Sequence, residues 1–139
     1  MDDPYNLQRF VEAQATVYPQ VCAELRQARK TGHWMWFIFP QIRGLGSSQT
    51  AQYFAISSDD EAQAYLAHPV LGARLRECTR LVVNVAGKSI DQIFGYPDNL
   101  KFHSCMTLFA QATQKSEVFL EALNKYFGGQ FDPNTLARL

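Results

Sequence analysis

The stretch Val70-Leu71-Gly72-Ala73-Arg74-Leu75-Arg76-Glu77-Cys78-Thr79-Arg80-Leu81-Val82-Val83-Asn84-Val85 decides the fold class. Val70, Leu71, Leu75, Cys78, Leu81, Val82 and Val85 give one broad apolar face at helical spacing, with Arg74, Arg76 and Arg80 largely on other faces. Pro69 opens this helix and Gly87 ends it. A face of that width must be buried against other elements, and the rest of the chain offers helices.

Upstream, Leu7, Phe10, Val11 and Gln14 repeat the spacing after Asp3-Pro4, and Val21, Leu25 and Ala28 do so after Tyr18-Pro19. Ser58-Asp59-Asp60-Glu61 fits a capping box, so a helix is expected from there to about Ala67. Downstream, Ser89 caps a short turn through Phe94, and Pro97 starts a long helix to about Thr113. Glu117 to Phe127 is amphipathic and stops at Gly128-Gly129, and Asp132-Pro133 begins a terminal turn. The run His33-Trp34-Met35-Trp36-Phe37-Ile38-Phe39 is so uniformly apolar that periodicity leaves strand and helix open. The expectation is an all-α fold, an irregular single-domain bundle of about seven or eight helices over residues 1–139.

The 139 residues are 47% hydrophobic and 19% charged, a balance that supports a buried core rather than a disordered chain. The net charge of zero removes the simplest reason to expect duplex DNA or an anionic membrane as partner. Met1-Asp2-Asp3-Pro4 carries acid where a secretory signal carries positive charge, and no apolar run approaches the roughly 20 residues that span a bilayer. Cys22, Cys78 and Cys105 are odd in number and far apart, the pattern of buried thiols in a cytoplasmic protein. His33, His68 and His103 lack paired helical spacing and an acidic cluster, so no metal is expected and no cofactor can be named. His68, before Pro69, reads as structural.

Three segments hold residue types that a core does not need. Lys30 to Gln41 crowds Trp34 and Trp36 with Lys30, His33 and Gln41, a set that offers stacking surfaces beside a cation and suits an aromatic, anionic ligand. The loop Arg43-Gly44-Leu45-Gly46-Ser47-Ser48 can turn its amides toward an anion, with Arg43 completing the pocket, although it matches neither a Walker A loop nor a Rossmann fingerprint. On a helix from Asp98, the residues Asp98, Lys101, Ser104 or Cys105, and Leu108 share a face, while Phe102, Met106 and Phe109 lie on another. His103 and Cys105, two apart, point in different directions and do not form a local dyad; a meeting of His33 with Cys105 or Ser104 through the fold stays open.

Lys30-x-x-His33-Trp34-Met35-Trp36-Phe37-Ile38-Phe39-Pro40-Gln41 followed by Gly44-Leu45-Gly46 resembles the uncharacterised family known as domain of unknown function 1810. So do Tyr65-Leu66-Ala67-His68-Pro69-Val70-Leu71-Gly72-x-Arg74-Leu75, Ile93-Phe94-Gly95, Asp98-x-x-Lys101-x-x-Ser104-x-Met106-Thr107-Leu108-Phe109 and Gly129-x-x-Asp132-x-x-Thr135-Leu136. Phe102-His103 departs mildly from that family's usual residues. The resemblance implies an all-α fold and brings no activity. Some members carry the label calpastatin-like, but calpain inhibition of that kind relies on flexible repeats, unlike a compact apolar domain.

The leading functional expectation is a pocket for a small anionic or nucleotide-like ligand, with hydrolysis as an added activity. In it Lys30, Trp34, Trp36, Gln41, Arg43, Gly44, Gly46, Ser47, Lys101 and Ser104 bind, and the catalytic candidates are His33 and Asp98, one or the other serving as base. The alternative is a protein-interaction module using apolar helix faces, with the partner unknown. A third reading, single-stranded nucleic acid on Arg74, Arg76 and Arg80, is opposed by the neutral charge. The pocket reading makes a spatial demand. Lys101 stands among Phe102, Met106 and Phe109, and a lysine is costly to bury unpaired, so it should meet Asp98 and approach the Lys30 to Gln41 segment.

Overall fold

A computed structural model describes residues 2–139; Met1, which the expected domain includes, lies outside the described residues. Its helices are α1 (Gln8–Ala15), α2 (Tyr18–Arg26), α3 (Met35–Ile38), α4 (Gln49–Tyr53), α5 (Asp59–Ala67), α6 (Leu71–Val83), α7 (Ile90–Phe94), α8 (Asp98–Ala112), α9 (Glu117–Phe127) and α10 (Pro133–Leu136). The excess over the expected number comes from α3 and α10, each four residues long. The ambiguous run around Trp36 thus contains a helical turn. Ile42 and Ile56 form an isolated parallel bridge, with Arg43 N–H donating to Ile56 O and Ile56 N–H to Gln41 O, both at 2.8 Å. No helix among the described residues is long and apolar enough to cross a membrane.

The amphipathic reading of Val70 to Val85 holds, though α6 starts at Leu71 and ends at Val83. Pro69 lies in the turn just before it, where His68 Nδ1 accepts from the amides of Val70 and Leu71 at 3.1 and 3.2 Å. Gly72 lets α6 begin hard against the end of α5, since a Cβ there would lie 2.1 Å from the Leu66 carbonyl oxygen. Helix α8 is the central element, packed on α5, α7, α9 and α10. Phe102, Cys105, Met106, Leu108 and Phe109 are inaccessible, and they join Phe10, Leu25, Phe39, Tyr65 and Phe119 in one core. All three thiols are free and buried.

One expected detail forms differently. Ser58 accepts from the amide of Glu61 at 3.2 Å, but the Glu61 carboxylate does not return to Ser58. Its Oε1 accepts instead from Ser57 N–H and Oγ–H at 2.9 and 2.7 Å, and its Oε2 pairs with Arg9 at 2.8 Å. The Arg9 guanidinium, buried like its partner, also donates to the carbonyls of Tyr5, Asn6, Tyr53 and Ala55. It thereby ties α1 to the strand-like segment before α5. Removing one member of a buried pair leaves an uncompensated charge, so Arg9→Met should destabilise the protein by about 3–5 kcal/mol in urea denaturation. A loss below about 1 kcal/mol would mean that Glu61 finds solvent without its partner.

Candidate functional site

The site begins with Glu24, a buried carboxylate on α2. Its Oε1 accepts from the amides of Thr31 and Gly32 at 2.7 and 2.9 Å and from the Trp34 indole N–H at 3.0 Å, and its Oε2 accepts from Gln20 at 2.9 Å. Burial alone would push this carboxyl up, but the Gly32 and Thr31 amides, with Gln20 and Trp34, hold it at about 2. The tight turn that results sends Trp34 into the core, against Phe39 and Phe94. Trp36, two residues on in α3, stays half-buried on the outer side.

Asp98, at the start of α8, then joins the two ends of this region. Lys30 Nζ lies 2.7 Å from Asp98 Oδ2 and donates to Gly32 O at 2.6 Å, while Lys101 Nζ lies 3.3 Å from Asp98 Oδ1. The ammonium of Lys30 stands 5.2 Å from the Trp34 ring and that of Lys101 5.1 Å from the Trp36 ring. Lys101 therefore does approach the Lys30 to Gln41 segment. Two ammonium groups thus share the Asp98 carboxylate.

Trp36 and Lys101 open onto a cleft of about 490 Å³. Gln41, Gly46, Ser47 and Ser104 line it with them, and Leu45, Ala51, Pro97 and Leu100 supply apolar surface. His103 on α8 and Asp132 and Asn134 at the start of α10 also line it. Asp132 Oδ2 accepts from Ser104 Oγ–H at 2.8 Å and Thr135 Oγ1–H at 2.6 Å, and its amide donates to Thr107 Oγ1 at 2.9 Å. Burial would raise the Asp132 carboxyl, but Thr135, Ser104 and the Asn134 amide, with His103 nearby, hold it below its ordinary value. The His103 ring lies flat on Phe127, centroids 4.0 Å apart, with Nε2 2.8 Å from Gln130 O.

Six of the residues expected from sequence thus face one cleft: Trp36, Gln41, Gly46, Ser47, Lys101 and Ser104. Others do not. Trp34 is a core residue whose indole N–H is taken by Glu24, and Lys30 and Asp98 stand behind the cleft as an ion pair. Arg43 and Gly44 do not line the cleft but an adjoining hollow of about 20 Å³ that shares Trp36, Gln41, Gly46 and Ala51 with it, and Gly44 lies against Arg138. His33 is exposed and is not part of the cleft wall, while Cys105 is sealed in the core, where burial pushes its thiol far up; the two do not meet. Among the described residues no three His, Cys, Asp or Glu side chains gather where they could hold a metal ion. Sequence reasoning missed His103, Asp132 and Asn134. The spacing Asp132-x-x-Thr135 is the available signal, and in the sequence it marks a terminal turn and a block of the family resemblance, without a site role.

The family described as "Protein of unknown function (DUF1810)" matches this chain over residues 4–139. Among solved structures the chain is similar to the conserved hypothetical protein Rv1873 from Mycobacterium tuberculosis, whose crystal structure was determined at 1.38 Å. The two are 59% identical and superpose with a TM-score of 0.98, covering 99% of this chain and 98% of that one. No curated protein matches.

Glu24 gives the turn a pH signature. Its carboxyl is lowered from an ordinary 4.5 to about 2, so its stabilisation is complete above 4.5 and is lost as pH falls through 2. Relative to Glu24→Gln, the wild type should gain up to about 3 kcal/mol at neutral pH, and the difference should shrink between those two values in urea melts. A pH-independent difference would show that the turn does not use the charge.

Proposed function

The chain belongs to the DUF1810 family, and from that premise we propose that the cleft between α3, α8 and α10 binds a small anionic, nucleotide-like ligand. The observation that carries this reading is the position of Lys101, whose ammonium lies 5.1 Å from the Trp36 ring at the mouth of a cleft of about 490 Å³. That volume falls within the range of about 300–1,000 Å³ typical of small-molecule sites. The mixture of apolar surface with a few converging polar groups is also what such sites require. Trp36, Pro97 and Leu100 offer surface to an aromatic body, and Lys101 offers charge to an anion. Asp98, held between two ammonium groups, suits a counter-ion rather than a base, so the proposal is for binding without hydrolysis.

The interaction-module reading has less to rest on. Trp34, Phe10, Phe39, Phe102, Phe109 and Phe119, whose abundance motivated it, are buried, and the exposed apolar residues, such as Tyr96, Leu100 and Leu120, are few. A nucleic-acid surface on α6 has less still: Arg80 pairs with Glu121, Arg74 lies over Tyr18 and Arg76 over Phe119. The buried free thiols fit a reducing compartment, and the cytoplasm is the setting we propose.

Thermal denaturation in the presence of nucleoside monophosphates and sugar phosphates tests the proposal. A true ligand at a hundred times its dissociation constant should add about 2.7 kcal/mol of stability. Lys101→Met should abolish that gain while changing the stability of the free protein by under about 1 kcal/mol, because Asp98 keeps Lys30 as partner. Stabilisation that survives in Lys101→Met, or a panel with no effect at all, would sink the reading.

A further inference from the structure

Two of the residues that line the cleft, His103 and Asp132, have acceptors to spare. A backbone carbonyl can only accept, so the 2.8 Å contact with Gln130 O places the ring proton of neutral His103 on Nε2 and leaves a lone pair on Nδ1. The parallel stack on Phe127 fixes the plane of the ring. Asp132 has spare capacity of the same kind. Its Oδ2 already accepts from Ser104 and Thr135, but its Oδ1 holds only a long 3.4 Å contact from the Asn134 amide. A carboxylate offers about four lone-pair sites in all, so Oδ1 is left able to accept more. Both residues face the same cleft as Lys101, whose ammonium can only donate.

A ligand in the cleft can therefore offer an anion to Lys101 and hydrogen-bond donors to Asp132 and His103. Trp36, Pro97 and Leu100 add apolar surface for an aromatic part of the same ligand. We infer that this ligand is a ribonucleotide whose phosphate is held by Lys101 and whose ribose hydroxyls donate to Asp132 Oδ1 and His103 Nδ1. The inference rests on the binding reading above and adds the sugar to it. Two adjacent hydroxyls match two acceptors one for one. They also leave the carboxylate charge-assisted hydrogen bonds in place of water, without bringing a second cation into a site that already holds Lys101.

Calorimetric titration with inorganic phosphate, ribose 5-phosphate, adenosine 5′-monophosphate and its 2′,3′-dideoxy analogue tests the sugar separately from the anion. The ribonucleotide should bind at least about tenfold more tightly than the dideoxy form, the effect of losing a hydrogen bond to a charged acceptor. His103→Phe keeps a flat ring on Phe127 but has no acceptor. It should weaken the ribonucleotide about fivefold and leave the dideoxy form unchanged. Equal affinity of the two nucleotides, or equal weakening of both by His103→Phe, overturns the role of the sugar while the binding reading stands. If none of the four probes binds, both fall. The comparison of the two nucleotides on the wild-type protein decides the matter even if the variant does not fold.

Discussion

The carboxylate of Glu24 is the constraint on which the candidate site depends. A chain that turns between α2 and α3 while staying packed on the core must satisfy the amides of its turn without water. Glu24 does this from inside, accepting from Thr31, Gly32 and the Trp34 indole with one oxygen. Because Trp34 is drawn inward, Trp36 is left outward, and because the turn is tight, Lys30 reaches Asp98 at the head of α8. The pairing of a core indole with a cleft indole two positions on follows from a single buried acceptor.

The same device recurs at the other irregular joints. Glu61 and Arg9 hold the segment between α4 and α5, and Asp132 fastens the start of α10 to Ser104 on α8. In each case a charged or polar group inside the bundle does for a loop what the i to i−4 ladder does for a helix. This explains how a bundle with four helices of five residues or fewer keeps defined positions for its connections. Short helices have little intrinsic stability, and these groups anchor them through tertiary contacts.

What was legible in the sequence was local. The spacing of Leu71, Leu75, Cys78 and Val82, the prolines at Pro19 and Pro97, and the glycines after Phe127 reported α6, α2, α8 and α9, because caps and periodicity act within a few residues. The apolar run from His33 to Phe39 could not be assigned, since a segment buried through tertiary contacts carries no period. Glu61 was misread for a related reason. A capping box is a local pattern, and Arg9, far away in sequence, competes for the same carboxylate. Lys101 could be anticipated near Trp36 from the cost of burying a lysine among phenylalanines. His103 and Asp132 could not, because the wall they form exists only once residues 130–135 fold back onto α8.

Net charge hid the electrostatics of the cleft in the same way. A total of zero is compatible with strong local fields, and here Lys30 and Lys101 stand on either side of a single carboxylate. Lys30 makes the shorter contact, at 2.7 Å against 3.3 Å, and is the less exposed of the two; a second short bond, to Gly32 O, fixes it further. Asp98 is therefore neutralised chiefly by Lys30. Lys101 has three N–H donors and gives at most one to Asp98, so two remain directed away from it. The Trp36 ring satisfies the ammonium only through its face, a weaker interaction than a hydrogen bond to an anion. An anion arriving in the cleft thus meets a lysine already held in place, with donors to offer and no strong partner to displace, which is the condition for binding without a large reorganisation.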